Sequence, residues 1–411
     1  MPAPAPPKPG PPSRAVPAWD IDAVAATCLA VQGIPAPTFA EQARADWVAE
    51  RLRALGPFEV TLDRAPNVYA RLPGAGPAAG AGPGLMVSAH LDTVFPAETD
   101  LGSRREGPIL HGPGIGDNCM GLAGLLALAE ALAAAPRPPC DVWLVANAAE
   151  EGLGDLAGMR AALDRLDGRI GACLVLEGSK HHSWPLTHRA LGSRRYRIEA
   201  SADGGHSWGN FGRSSAIHLL AGLAAEIAGW QVPARPRCSF NIGVIQGGTS
   251  VNTIAETAWL LLDLRSEDPS ALEALAERAE ALVARHAAAA ARAGDARLGC
   301  RRVGDRPAGE LPADHPLVEA ARQALLAEGV PPERIASRIS STDANIPLAR
   351  GIPAVCIHLT RGGHAHRLDE WLSLDELPTG LGQLWRLSWA AADWLAAGAP
   401  AEVPAPGRPD S

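Results

Sequence analysis

Three short runs of this chain carry almost no polar residue: Leu85–Leu91 (LMVSAHL), Val142–Ala148 (VWLVANA) and Cys173–Leu176 (CLVL). None alternates polar with apolar, so each reads as a strand buried on both faces, as in a parallel sheet. The stretches Leu122–Ala135 and Leu156–Leu166 between them have helical periodicity and suit crossover helices. After a long interruption the pattern returns with helix Pro316–Glu328 and strand Ala354–Leu359. The expected fold class is α/β, a mostly parallel sheet flanked by helices.

The interruption differs in character. Arg195–Ala200 alternates polar and apolar, as a half-exposed strand does. A helix over Ser215–Ile227, strands over Ser239–Ile245 and Thr257–Arg265, and a long Ala/Glu/Arg helix over Ser270–Arg292 follow. This predicts an α+β domain over 191–303, inserted into a main domain formed by 19–190 and 304–398. Upstream, Ile21 to Leu55 is read as helical, with Trp47, Val48, Leu52 and Leu55 on one face. Strand-like runs at Phe58–Leu62 and Val68–Arg71 then lead into PGAGPAAGAGPG, read as a flexible hairpin tip. Residues 1–18 and 399–411 are Pro-rich and read as disordered ends.

Composition narrows the function. Aromatics are 4% of 411 residues, so the core is built from Ala, Leu, Val and Ile. A net charge of −8 argues against nucleic-acid binding. The leader has no apolar signal-peptide core and no uncharged apolar run reaches membrane-spanning length, so no membrane association is expected. Seven cysteines without a C-x-x-C pair fit packed thiols in a reducing cytoplasm better than disulfides or a cysteine zinc module.

In an open parallel sheet, ligands bind beyond the carboxyl ends of the strands. His90 and Asp92 follow the first apolar strand, Glu150 and Glu151 the second, and Glu177 the third. Asp117 lies in the loop opening the long apolar helix, and His364 and His366 follow the last strand. Any one of these alone reads as a solvated loop residue. Convergence of all of them on one sheet edge is different, because clustered carboxylates repel unless a cation neutralises them. A mixed His/Asp/Glu set without Cys suits zinc in an open catalytic site, with cobalt or manganese compatible. The excess of carboxylates points to two divalent ions per chain. The H-x-D spacing places Asp92 behind His90 to orient its ring. The Glu150–Glu151 pair suggests divided labour, one carboxylate on metal and one moving protons.

The motifs SAHLDTV (88–94), GPGIGDNCMG (112–121), AAEEGLGDLAG (148–158), VLEG (175–178), ADGGHS (202–207), GGTSVN (247–252), STDANIPLARGIPA (from 341) and HAHRLDEWL (364–372) occur in this order. Together they resemble the di-zinc metallopeptidases that include glutamate carboxypeptidase, peptidase T and acetylornithine deacetylase. The resemblance implies Asp117 as the bridging ligand, His90 and Glu177 completing one metal site, and Glu151 and His366 the other. It selects His366 over His364 because the ligand stands four residues before Glu370-Trp371. It implies Glu150 as general base for a metal-bridging hydroxide, and Asp92 as the orienter of His90. Glu177 stands where many relatives carry Asp, and Arg367 where Thr is common.

By the same resemblance the insert is a lid that also forms a homodimer interface. His206 would reach the partner subunit's site and stabilise the tetrahedral oxyanion. Asn252 and Arg265 would hold a substrate carboxylate. The implied function is a zinc-dependent hydrolase cleaving the amide bond of a small peptide, in the manner of a dipeptidase or exopeptidase. An N-acyl-amino-acid deacylase is the alternative. Cys119 reads as a packed small residue, and His181, His182 and His188 as part of a loop ahead of the insert. Ser341, Thr342, Asp343 and Asn345 are expected to shape the pocket.

Two other readings compete. GHSWG (205–209) fits the nucleophile-elbow pattern, with Ser207 as nucleophile and Asp263 or Asp343 and His366 completing a triad. It lacks the buried strand an elbow needs and leaves the carboxylates unexplained. A non-catalytic binding relative is the other, opposed by the presence of every ligand and of the base.

Overall fold

A computed structural model describes residues 14–76, 79–80, 82–178 and 183–398. These divide into two compact units. The first takes residues up to His188 together with Leu311–Arg338 and the chain from Thr342 onward; the second takes Arg189–Glu310 and Ile339–Ser341. The second unit is wider than 191–303 because an unforeseen strand, Ala296–Arg306, pairs with Ser193–Ala202. Its sequence, ARLGCRRVGDR, alternates only over Ala296, Leu298 and Cys300 before the Arg301-Arg302 pair breaks the pattern.

In the first unit the strand order is Glu59–Leu62, Val68–Leu72, Val142–Asn147, Gly84–His90, Ile170–Glu177, Ala354–His358, Trp184–Ala190. The four from Val142–Asn147 to Ala354–His358 are parallel, as their continuous apolar sequences require, and antiparallel strands flank them. The expected hairpin tip, PGAGPAAGAGPG, lies partly outside the described residues, at 77, 78 and 81. Val68–Leu72 and Gly84–His90 lie on opposite sides of Val142–Asn147, so these two strands are not hairpin partners. Helix Gly121–Ala134 is apolar on nearly all faces and correspondingly buried. Of the described residues only Ile115–Ala134 is long and apolar enough to cross a membrane, and 83% of it is buried inside the fold.

The predicted helix from Ile21 to Leu55 is two helices, Ile21–Gln32 and Gln42–Ala54. Pro35 and Pro37 exclude continuous helix between them. Part of the expected leader is ordered: the Arg14 guanidinium lies 4.4 Å from the Trp389 ring centroid and pairs with Asp393. Residues 1–13, the tail 399–411, His181 and His182 lie outside the described residues. His188 is not in a loop. It is buried in strand Trp184–Ala190 and contacts the Leu311 carbonyl at 2.7 Å and Ser337 Oγ at 2.6 Å. All seven cysteines are free, and all but Cys300 are buried.

The second unit is a four-stranded antiparallel sheet, ordered Cys238–Gly247, Thr257–Ser266, Gly192–Ala202, Ala296–Arg306. Alternate residues of Thr257–Ser266 are buried. Helices Ala216–Ala228 and Pro269–Ala293 pack on that inward side, giving the unit its own core around Tyr196, Ile198, Leu220, Leu260 and Leu262.

Candidate metal centre

The parallel strands end where the sequence reading places the chemistry. His90 is the last residue of Gly84–His90, and Glu177 the last of Ile170–Glu177. Glu150 and Glu151 follow Val142–Asn147 in a turn that passes through Ala149 at φ 54°. His366 also has a left-handed backbone, at φ 67°. Such φ values are uncommon outside glycine and persist only where surrounding contacts fix them. His366 lies between two strands of a small antiparallel sheet, Gly362–Gly363 and Trp371–Ser373.

Asp117 sits in the irregular turn before helix Gly121–Ala134. Its Oδ1 lies 3.1 Å from His90 Nε2 and its Oδ2 3.1 Å from His366 Nε2. His366 Nε2 is also 3.1 Å from Glu151 Oε1, and His90 Nε2 is 3.9 Å from Glu177 Oε2. Two donor groups result, His90–Asp117–Glu177 and Asp117–Glu151–His366, each with ligand atoms within 4.8 Å of one another. Buried Glu150 forms a third such group with His90 and Glu151. Gly178 marks how tightly this is built: a Cβ there would lie 2.5 Å from the Gly116 carbonyl oxygen.

The electrostatics follow from the crowding. Burial alone would lower the His90 pKa, yet Asp117, Asp92 and Glu177 outweigh it and raise that pKa well above its usual value. Contacts with Asp117 and Glu151 push His366 up to about 10. Burial would raise Asp117, but His366 and His90 hold it far below the ordinary carboxylate range. The negative charge thus draws protons onto both imidazoles. Divalent cations would answer the same demand and leave the ring nitrogens free to ligate, so the donor set fits a pair of them. Asp117 presents a different oxygen to each histidine, the geometry of a bridging ligand.

Asp92 faces His90, as expected of an orienting residue, and has a second task as well. It lies beyond the strand end, so strand alternation does not place it. The closer partner of His90 Nδ1 is the Asp92 backbone carbonyl, at 3.0 Å, with the carboxylate at 3.5 Å. The carboxylate also accepts the Glu150 and Glu151 backbone N–H groups, each at 2.9 Å, and the Thr38 hydroxyl. In the sequence Glu370 serves only as a marker for His366. Its two buried oxygens accept the N–H groups of Gly114, Gly116 and Asp117, at 2.9, 2.8 and 2.8 Å. Burial, with the Asp117 charge adding to it, pushes Glu370 up to about 8. The E-W signal was visible, but a carboxylate serving backbone amides leaves no side-chain partner to find in a sequence.

His364 stays out of the cluster, bound to Asp369 at 3.0 Å. Arg367 adds no free charge, because Asp369 holds it as well. Cys119 is buried, and burial raises its thiol pKa, as in a packed thiol. Asp343 does not line a pocket; it is fully buried, and burial pushes it up to about 7.

In the second unit, His206 ends the two-residue strand Gly205–His206. Its Nδ1 accepts the N–H groups of Trp208 and Gly209 at 3.2 and 3.4 Å. That leaves Nε2 as the protonated, donating nitrogen. Asn252 accepts the Ser207 N–H through its backbone carbonyl. Arg265 is engaged by Asp263 at 2.6 Å, and Asp263 also holds Arg195. Ser207 is exposed in a turn after that short strand, so no nucleophile elbow is built, and both candidate aspartates have other partners.

Residues 86–387 match the family model described as Peptidase family M20/M25/M40. A curated relative, the succinyl-diaminopimelate desuccinylase of Corynebacterium glutamicum, is 28% identical over 239 residues. That match covers 56% of this chain and 63% of the relative, less than two thirds of its length. A tripeptidase from Staphylococcus aureus has a similar structure, with a TM-score of 0.73 at 19% identity, covering 91% of this chain and 99% of that one. The aminopeptidase PepT of Bacillus cereus gives a TM-score of 0.70 at 18% identity, covering 90% and 99%. At these identities the structural likeness is one of fold. The family match takes in well over half of the sequence and includes every member of the metal cluster. The chain therefore belongs to peptidase family M20/M25/M40, a family of dinuclear metal enzymes.

Proposed function

We propose that this chain hydrolyses the amide bond of a small peptide, as a metal-dependent dipeptidase or exopeptidase. The observation that carries the reading is the pair of donor groups sharing Asp117, with Glu150 buried beside them. His90, Asp117 and Glu177 would hold one divalent ion, and Asp117, Glu151 and His366 the other. Zinc suits this donor set, and cobalt and manganese are compatible with it. Two such ions supply Lewis-acid polarisation of the scissile carbonyl and a lowered pKa for the attacking water.

The chain's own residues do the rest. Glu150 takes a proton from the attacking water and returns it to the leaving amine. Asp92 holds the amides of Glu150 and Glu151 and so aims both carboxylates. His206, with Nε2 as its donating nitrogen, stabilises the oxyanion, acting on the partner's site in a homodimer formed through the inserted unit. Asn252 and Arg265 bind a substrate carboxylate, Arg265 by exchanging Asp263 for it. Free, mostly buried thiols agree with a reducing, cytoplasmic setting.

The desuccinylase relative favours a second reading, in which the substrate is an N-acyl amino acid. A panel of dipeptides set against N-acetyl and N-succinyl amino acids separates the two. Glu150→Gln should keep its zinc and lose at least about 10²-fold in kcat. His206→Ala should also be folded and inactive, and mixing the two variants should restore part of the activity. Full activity in Glu150→Gln, or activity that survives complete removal of metal, removes the proposal.

A further inference from the structure

Asp343 lies outside both groups of metal donors, yet it is built into the floor beneath them. Its side chain is 0% exposed, and Oδ2 accepts the side-chain N–H of Asn147 at 2.7 Å. Asn147 is also 0% exposed. It ends the strand from which Glu150 and Glu151 emerge, stands in register with His90 on the neighbouring strand, and accepts the Leu91 N–H at 2.7 Å. The turn that delivers Asp343 is locked from within. Thr342 N–H donates to Asn345 Oδ1 at 2.9 Å, Ala344 N–H to Thr342 Oγ1 at 3.2 Å, and Asn345 N–H to the Thr342 carbonyl at 3.0 Å. Asp343 Oδ1 has no hydrogen-bond partner among the described residues. Among the described residues, the hydrogen bond of its side chain therefore goes to the amide beneath the Glu150–Glu151 turn.

We propose that Asp343 is a positioning residue of the metal centre, fixing Asn147 and through it the end of the strand that presents Glu150 and Glu151. The proposal rests on the metal-hydrolase reading above and deepens it. The buried Asn147 amide needs an acceptor. Given one, its rotamer is fixed at the point where two ligand-bearing strands end side by side. Without one, the amide must turn or draw in water, and the three residues to Glu150 lose their footing. An acceptor oxygen at this place is what the role demands, and a negative charge is not. This separates it from a role as a further metal ligand.

The test compares Asp343→Ala with Asp343→Asn, which keeps an acceptor for Asn147. Three readouts apply: zinc affinity by competition with a chelating dye, kcat and KM separately, and amide hydrogen exchange at residues 148–151 in metal-free protein. Asp343→Ala should weaken zinc about 10–100-fold, lower kcat more than it changes KM, and speed exchange at 148–151. Asp343→Asn should behave like the wild type in all three. Wild-type behaviour in Asp343→Ala overturns the proposal. So does an Asp343→Asn as impaired as Asp343→Ala, since the charge itself would then be in use. If Asp343→Ala does not fold, the double variant D343L/N147L removes donor and acceptor together; faster exchange there supports the proposal, and unchanged exchange overturns it. Should wild-type protein bind no zinc while Asp343→Ala still loosens 148–151, the tether stands and the hydrolase reading falls.

Discussion

Carboxylates divide into two trades in this centre, and burial with partner type tells them apart. Asp117, Glu151 and Glu177 face histidine nitrogens, whereas Asp92 and Glu370 face backbone amides. Glu370 has the heavier duty, since three N–H groups around Asp117 depend on it. Glu370→Ala leaves all three without an acceptor, at about 1–3 kcal/mol for each that stays buried. We expect the metal-free variant to lose about 3 kcal/mol or more in urea unfolding. Zinc should weaken at both positions together, because Asp117 serves both. A Glu370→Ala protein with wild-type stability and zinc affinity would show that the loop holds itself. The candidate ligands are legible in the sequence because chemistry-bearing residues at strand ends are conspicuous. The supports are not, because any backbone amide can be their partner and the sequence does not say which.

Elements are legible where apolar residues run on unbroken or recur with a helical or strand period. The apolar parallel strands and the long helix of the insert stand where the pattern put them. The break between Gln32 and Gln42 was overlooked although Pro35 and Pro37 announce it, and it has a use. It turns Thr38 toward Asp92, lets Glu41 accept the Ala149 N–H, and lets buried Arg44 bind the Leu91 carbonyl. A cap at the other end of the chain yields a pH prediction. His315 caps helix Pro316–Ala327 by accepting the Leu317 N–H at 3.1 Å, which only the neutral ring can do. Burial holds the His315 pKa below 6.5 in the folded chain. The cap's stability is therefore fully present above the unfolded pKa and is lost as pH falls through the lower folded one. His315→Ala should cost about 1 kcal/mol at pH 8. The gap to wild type should close progressively below about pH 6.5. A gap that does not change with pH would place its origin in packing against Trp394.

At the scale of the molecule, the two units have separate cores, and all the candidate ligands lie in the first. Ligands that bind only the folded state stabilise it by mass action. At free zinc a thousandfold above its dissociation constant, each ion contributes about 4 kcal/mol. That energy belongs to the unit whose unfolding scatters His90, Asp117, Glu151, Glu177 and His366. The inserted unit packs its own helices on its own sheet and offers none of these groups. Calorimetry of the intact chain should resolve two transitions in chelator. Added zinc should move one of them upward by several degrees and leave the other in place. Limited proteolysis should assign the unmoved transition to residues 189–310. A single transition shifted as a whole would mean that the units unfold together and that the sites stabilise both. No shift at all would mean that the five side chains gather without a metal to hold, and the proposed chemistry would lose its basis.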